Sequence, residues 1–127
     1  MLFPCYSYIS GNLDEAIPTN DRTADKTYAV LVRDRQEADD EFRNLSANQL
    51  KGRGHKGITA LETIVDEIGF YKRTGKHRDV NYIALCTGSQ CSDGDVPGSV
   101  WFGGRFYLDW CRPGRASARL RSREAVS

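Results

Sequence analysis

The chain has 127 residues, 39% of them apolar and 28% charged, and a formal net charge of +1. That length suits one domain able to bury a core without disulfides or metal, and its apolar and aromatic content excludes a disordered or collagen-like chain. No apolar run approaches the ~20 residues that cross a bilayer, and the start lacks the basic and apolar regions of a signal peptide, so the expectation is a cytoplasmic protein with no membrane partner.

Residues 2–9 alternate aromatic and small side chains and predict a strand, with Pro4, lacking an amide donor, confined to a strand start or an edge. Residues 10–26 carry turn chemistry, with Leu13 and Ile17 as anchors to the core. Residues 27–33 are β-branched and continuously apolar in their middle, which predicts a central strand buried on both faces. Asp34 followed by Glu37 predicts a helix start, with Phe42 and Leu45 inward and Glu37, Asp39, Asp40 and Glu41 on the solvent side. Ser46 with Gln49 forms a second capping box. Thr59 with Glu62 forms a third, opening a helix whose Leu61, Ile64, Val65 and Ile68 repeat at helical spacing toward the core and which stops at Thr74-Gly75.

Residues 80–86 predict a strand, 87–98 a polar loop, and 99–102 with 105–111 a hairpin turned by Gly103-Gly104. Alternation puts Phe106, Leu108 and Trp110 on one face and Tyr107 and Asp109 on the other, with Trp101 and Phe102 opposed. Residues 113–127 are Arg-rich and poor in apolar residues, which predicts a flexible tail behind a domain at 1–112. The expected fold class is α+β: a mostly antiparallel sheet of about five strands with two to three helices packed on one face.

The near-neutral total hides a polarised layout. Residues 14–41 hold nine acids against four bases, a net −5, and residues 42–127 hold fourteen bases against eight acids, a net +6. Such a layout presents one face to an anion and another to a basic surface, or simply keeps two faces solvated. The nucleic-acid or anion-binding candidates are Lys51, Arg53, His55 and Lys56 in a glycine-rich loop, Lys72, Arg73, Lys76 and Arg78 beyond the following helix, and Arg115, Arg119 and Arg121 in the tail. Gly52, Gly54 and Gly57 let backbone amides approach a phosphate ahead of a helix start, although the Lys-Gly order is not that of a Walker loop. A surface connection with incidental basic residues is the plainer alternative. Glu37, Asp40 and Glu41 offer charge to a basic protein surface; Trp101, Tyr107 and Trp110 are of the types that dominate interface hot spots, unless both hairpin faces are buried.

Cys86 and Cys91 form one close pair, while Cys5 and Cys111 stand apart, short of the paired spacing of a zinc site. The expectation is reduced cysteines packed as small apolar residues, with no metal and no cofactor. His55, Glu62, His77 and Arg78 are the residue types that metal-independent RNA cleavage needs for acid, base and charge stabilisation, although Glu62 is more simply explained as a cap. Two functions compete. One is a small non-enzymatic interaction protein that binds a protein or nucleoprotein partner, in profile like a phage or mobile-element inhibitor of a host defence complex. The other is a ribonuclease-like toxin or effector using His55 and His77. The charge layout favours the first and leaves oligomeric state open.

Overall fold

Gly103 (φ 58°) and Gly104 (φ 80°) close the hairpin that organises the fold, both in the left-handed region that a tight hairpin turn demands. They join β5 (Val96–Phe102) to β6 (Arg105–Cys111), paired from Val96↔Cys111 to Phe102↔Arg105. In the computed structural model, which describes residues 2–127, three short strands extend this hairpin. β1 (Cys5–Ser7) lies parallel to β6, β3 (Ile83–Leu85) antiparallel to β5, and β7 (Leu120–Ser122) parallel to β3. The order is β1-β6-β5-β3-β7. The sheet is therefore mixed, not mostly antiparallel. β2 (Thr19–Asn20) and β4 (Ser89–Gln90) form a separate antiparallel pair within two stretches expected to be irregular.

The helices are α1 (Leu13–Ala16), α2 (Ala47–Gly52) and α3 (Ala60–Thr74). Two of the three predicted capping boxes are formed, by Ser46 with Gln49 and by Thr59 with Glu62, and Gly75 (φ 72°) ends α3. Leu108 and Cys111, three residues apart on β6, point to opposite faces of the sheet. Ala60 of α3 packs with Leu108, whereas Leu50 of α2 packs with Cys111, Leu85 and Leu120. The helices thus cover parts of both faces instead of sharing one. None is long and apolar enough to cross a membrane.

Four expectations are corrected. First, α3 turns Ala60, Thr63, Glu67 and Phe70 inward, while Leu61 and Val65 are exposed. The inward polar groups find partners: Thr63 Oγ1 meets Cys86 Sγ at 3.4 Å, and Glu67 meets His77 and the Arg78 amide. Second, residues 27–33 form no strand beyond one bridge, Leu31↔Val126, because β7 occupies the place beside β3. Val30 and Val32 instead line a groove with Leu61 and Val65. Third, Asp34 opens no helix. Its carboxylate pairs with Arg73 and Arg78, Glu37 accepts the amides of Val80, Asn81 and Tyr82, and only a 3-10 turn, Asp40–Phe42, follows.

Fourth, residues 113–127 are not a loose tail. Leu120, Arg121, Ser122, Arg123 and Ala125 are buried, and β7 belongs to the same sheet as residues on the other side of the expected boundary at 112. Arg123 donates to Asp79 (2.8 Å) and to the Arg35 carbonyl (3.0 Å). Arg121 donates to the Ala38 carbonyl, pairs with Asp40 at 3.2 Å and lies 3.6 Å above the Tyr82 ring. Arginines read as solvated are thus internal counter-charges for the acidic stretch. Much of the polarised layout is neutralised inside the molecule.

Candidate anion-binding pocket and the two histidines

Two basic stretches far apart in sequence meet on the surface. The Asn48 amide at the start of α2 donates to the Pro113 carbonyl (2.9 Å), and the Arg115 amide closes a turn onto the Arg112 carbonyl (3.0 Å). The loop after α2 then runs against residues 87–89 at very close range. A Cβ on Gly88 would lie 2.5 Å from the Gly57 carbonyl oxygen, and the Gly88 amide donates to the Ile58 carbonyl (3.0 Å). Glycine is required there by backbone contact. A pocket of about 260 Å³ results, lined by Lys51, His55, Lys56, Thr87, Ser89 and Gln90, with Asp21 as the carboxylate in its wall.

His55 Nε2 lies 2.8 Å from Ser122 Oγ, which is also 3.1 Å from Thr87 Oγ1 and 3.3 Å from the Leu85 carbonyl. The ring packs on Phe42, and Nδ1 is buried with no partner among the described residues. Burial pushes the His55 pKa down, so the imidazole is neutral at pH 7. Ser89 Oγ is already engaged, accepting from the Ala60 amide and donating to Asn20 Oδ1. Charge toward an occupant therefore comes from Lys51 and Lys56; the Thr87 hydroxyl is held by Ser122, and Gln90 Nε2, which donates to the Gly94 carbonyl (3.1 Å), keeps one N–H to offer. An oxyanion such as a phosphate oxygen matches that set.

His77 lies past the far end of α3, whose 15 residues span about 22 Å. Its ring stacks on Trp101 (centroids 3.4 Å apart, planes within 3°) and on Tyr71 (4.7 Å), with Phe3 edge-on at 5.1 Å. Nδ1 is 2.6 Å from Glu67 Oε1, and the Arg78 amide donates to Oε2. Burial holds the Glu67 carboxyl above its ordinary range despite both contacts. Arg78 is buried, 2.8 Å from Asp66, 3.0 Å from Asp34 and 4.1 Å above the Phe70 ring. Glu62 is a hub at the start of α3, accepting from the Thr59 amide, from Arg22 (2.7 and 2.9 Å) and from the Tyr28 hydroxyl (2.8 Å). The four residues considered for RNA cleavage are not assembled: His55 and Glu62 belong to one end of α3, His77 and Arg78 to the other.

The remaining candidates divide similarly. Lys51, Arg53 and Lys56 are exposed together, as are Arg115 and Arg119. Lys72 and Lys76 are exposed at the opposite end of α3, where Arg73 is paired with Asp34. Arg78 and Arg121 are buried in ion pairs and unable to reach an external phosphate. Glu37 is spent on backbone amides; Asp40 pairs with Arg43 and Arg121. Glu41 stays exposed, its carboxyl held down at about 2 by the Arg35 guanidinium 2.8 Å away. Trp101 belongs to the His77 stack, Tyr107 clusters with Tyr6 and Tyr8, and Trp110 is 44% exposed. Cys86, Cys91 and Cys111 are buried free thiols and Cys5 an exposed one.

Ser122 was invisible as a site residue, since it sits among arginines that read as a tail. Thr87 lay in a stretch read only as a polar loop. No protein-family model, curated protein or solved structure matches this chain.

Proposed function

We propose that the protein is an interaction module that engages a nucleoprotein partner, seating an anionic group of that partner in the pocket between α2, the 53–58 loop and residues 87–90. The Asn48–Pro113 contact carries this reading, because it puts Pro113 in the wall that bears Lys51 and Lys56 and so brings the basic 112–115 turn next to that pocket. Backbone-directed contacts of this kind supply affinity and orientation without base reading. Within this reading, an inhibitor of phage or mobile-element origin acts by covering the nucleic-acid path of a host complex.

The test is fluorescence anisotropy with a labelled single-stranded RNA and a labelled DNA duplex over a range of salt. Affinity is expected to fall linearly on a log–log plot, with a slope near one per phosphate neutralised. Lys51→Glu with Lys56→Glu should weaken binding by about tenfold or more and flatten the slope by about two. A flat salt profile, or a double variant that binds as the parent does, overturns the proposal.

A further inference from the structure

We propose that the outer edge of β1 is a docking site for an extended segment of a partner protein, which adds to the sheet as a sixth strand and places one large apolar side chain in the cavity beneath it. The inference is independent of the anion pocket. β1 is a sheet edge, and two bonds fix its phase: the Phe106 amide donates to the Pro4 carbonyl (2.9 Å) and the Tyr8 amide to the Leu108 carbonyl (2.8 Å). Backbone groups of Pro4, Tyr6 and Tyr8 therefore face β6, and alternation turns the N–H and C=O of both Cys5 and Ser7 outward. No described residue pairs with those four groups. The edge is short, three residues, but among the described residues it carries no lysine, bulge or covering element.

A cavity of about 390 Å³ lies under this edge, walled by Cys5, Phe106 and Leu108 of the sheet and by Ile64 and Ile68 of α3. Its one charged wall group among the described residues, Glu67, has both oxygens engaged by His77 and the Arg78 amide. The cavity therefore calls for an apolar side chain. On the other face, Tyr6, Tyr8 and Tyr107 form a mutual cluster, with Tyr8 and Tyr107 stacked at 5.7 Å. An added strand alternates between the two faces, so its sequence should place a Leu, Ile, Met or Phe over the cavity and an aromatic residue or Arg, at the adjacent position, over the tyrosines.

A second copy of this chain fits less well. Paired antiparallel, edge to edge, it would present Cys5 and Ser7 to the cavity, and these side chains are too small to fill it. Strand addition gains affinity from main-chain hydrogen bonds and specificity from the pocket, and this edge offers both to a foreign segment.

The test begins with a random peptide library displayed on phage and panned against the full chain, with enriched peptides resynthesised carrying a fluorophore. Sequences with the apolar–aromatic or apolar–Arg alternation are expected. Replacing the pocket residue with Gly, or N-methylating the peptide amide that faces β1, should weaken binding by about tenfold, whereas N-methylation at the neighbouring outward amide should change it by less than about twofold. Ile68→Gln should weaken the same peptides, while Lys51→Glu with Lys56→Glu leaves them unchanged, which separates failure here from failure of the anion pocket. Binding should also slow amide hydrogen exchange at Ser7 and alkylation of Cys5. Enrichment of no alternating sequence, indifference to N-methylation, or a dimer of this chain that protects Cys5 and Ser7 on its own overturns the proposal.

Discussion

Replacing Glu62 with Ala should destabilise the fold by several kilocalories per mole. The side chain caps α3, accepts two charge-assisted bonds from Arg22 and takes the Tyr28 hydroxyl. A lost cap costs about 1 kcal/mol, a charged hydrogen-bond pair about 1.5–3 and the Tyr28 bond about 1. Arg22 and Glu62 side chains are only 16% and 10% exposed, so solvent screening is partial. The contributions overlap at one carboxylate, which brings the expected total to about 2–4 kcal/mol, or roughly 6–16 °C in Tm for a chain of this size. Glu62→Gln keeps an acceptor for the Thr59 amide and loses the charge, so it should fall between. Burial pushes the Glu62 carboxyl up, but the bonds from Arg22, Thr59 and Tyr28 outweigh burial and its pKa is lowered from 4.5. A carboxylate with a depressed folded pKa stabilises above its unfolded value and loses that stabilisation as pH falls. The gap between parent and Glu62→Ala in urea denaturation should therefore be full at pH 6–7 and shrink below about pH 4.5. A double-mutant cycle with Arg22→Met isolates the pair. A variant within about 0.5 kcal/mol of the parent, or additive single changes, would refute the reasoning.

Two glycines should respond in opposite senses. Gly69→Ala, on an exposed turn of α3 with open space around its Cβ, should stabilise by about 0.5–1 kcal/mol, whereas Gly88→Ala drives a methyl into the Gly57 and Ile58 backbone and should cost about 2 kcal/mol or more in urea denaturation. Thiol titration should find one fast-reacting cysteine, Cys5, in the native protein and four after unfolding. Burial shields Cys86, Cys91 and Cys111 and pushes their thiols up to about 12, 11 and 11, so equal native reactivity of all four would contradict the packing.

Local chemistry was legible where it carries its own signal. Ser46 with Gln49, Thr59 with Glu62, and Gly103-Gly104 each announce a structure that neighbouring residues complete. Pairing between distant segments carries no such mark. Val30, Leu31 and Val32 have strand composition, yet β7 occupies the position beside β3, and nothing in its Leu-Arg-Ser sequence advertises a buried strand. Arg121 and Arg123 tolerate burial because Asp40, Asp79 and carbonyls of residues 35–38 surround them, a complementarity that appears only once residues 44 to 88 positions apart are brought together. The same holds for the basic pocket. Lys51, His55 and Lys56 were identifiable individually, while Thr87, Gln90 and Pro113 joined them through topology alone.

The pairing of Cys5 with Phe106 and of Ile83 with Leu120 has a consequence for synthesis. A growing chain can form α3, and later the hairpin, from neighbouring residues, but β1 must wait for about a hundred further residues and Asp79 for Arg123. The sheet therefore completes only after residues 120–123 have been made. Until then the aromatic first strand and the apolar 27–33 stretch lack their final surroundings and are open to association with other nascent chains. Contacts this distant in sequence also slow the search itself, so the yield of folded protein should depend on how well these early segments are shielded while the last strand is awaited.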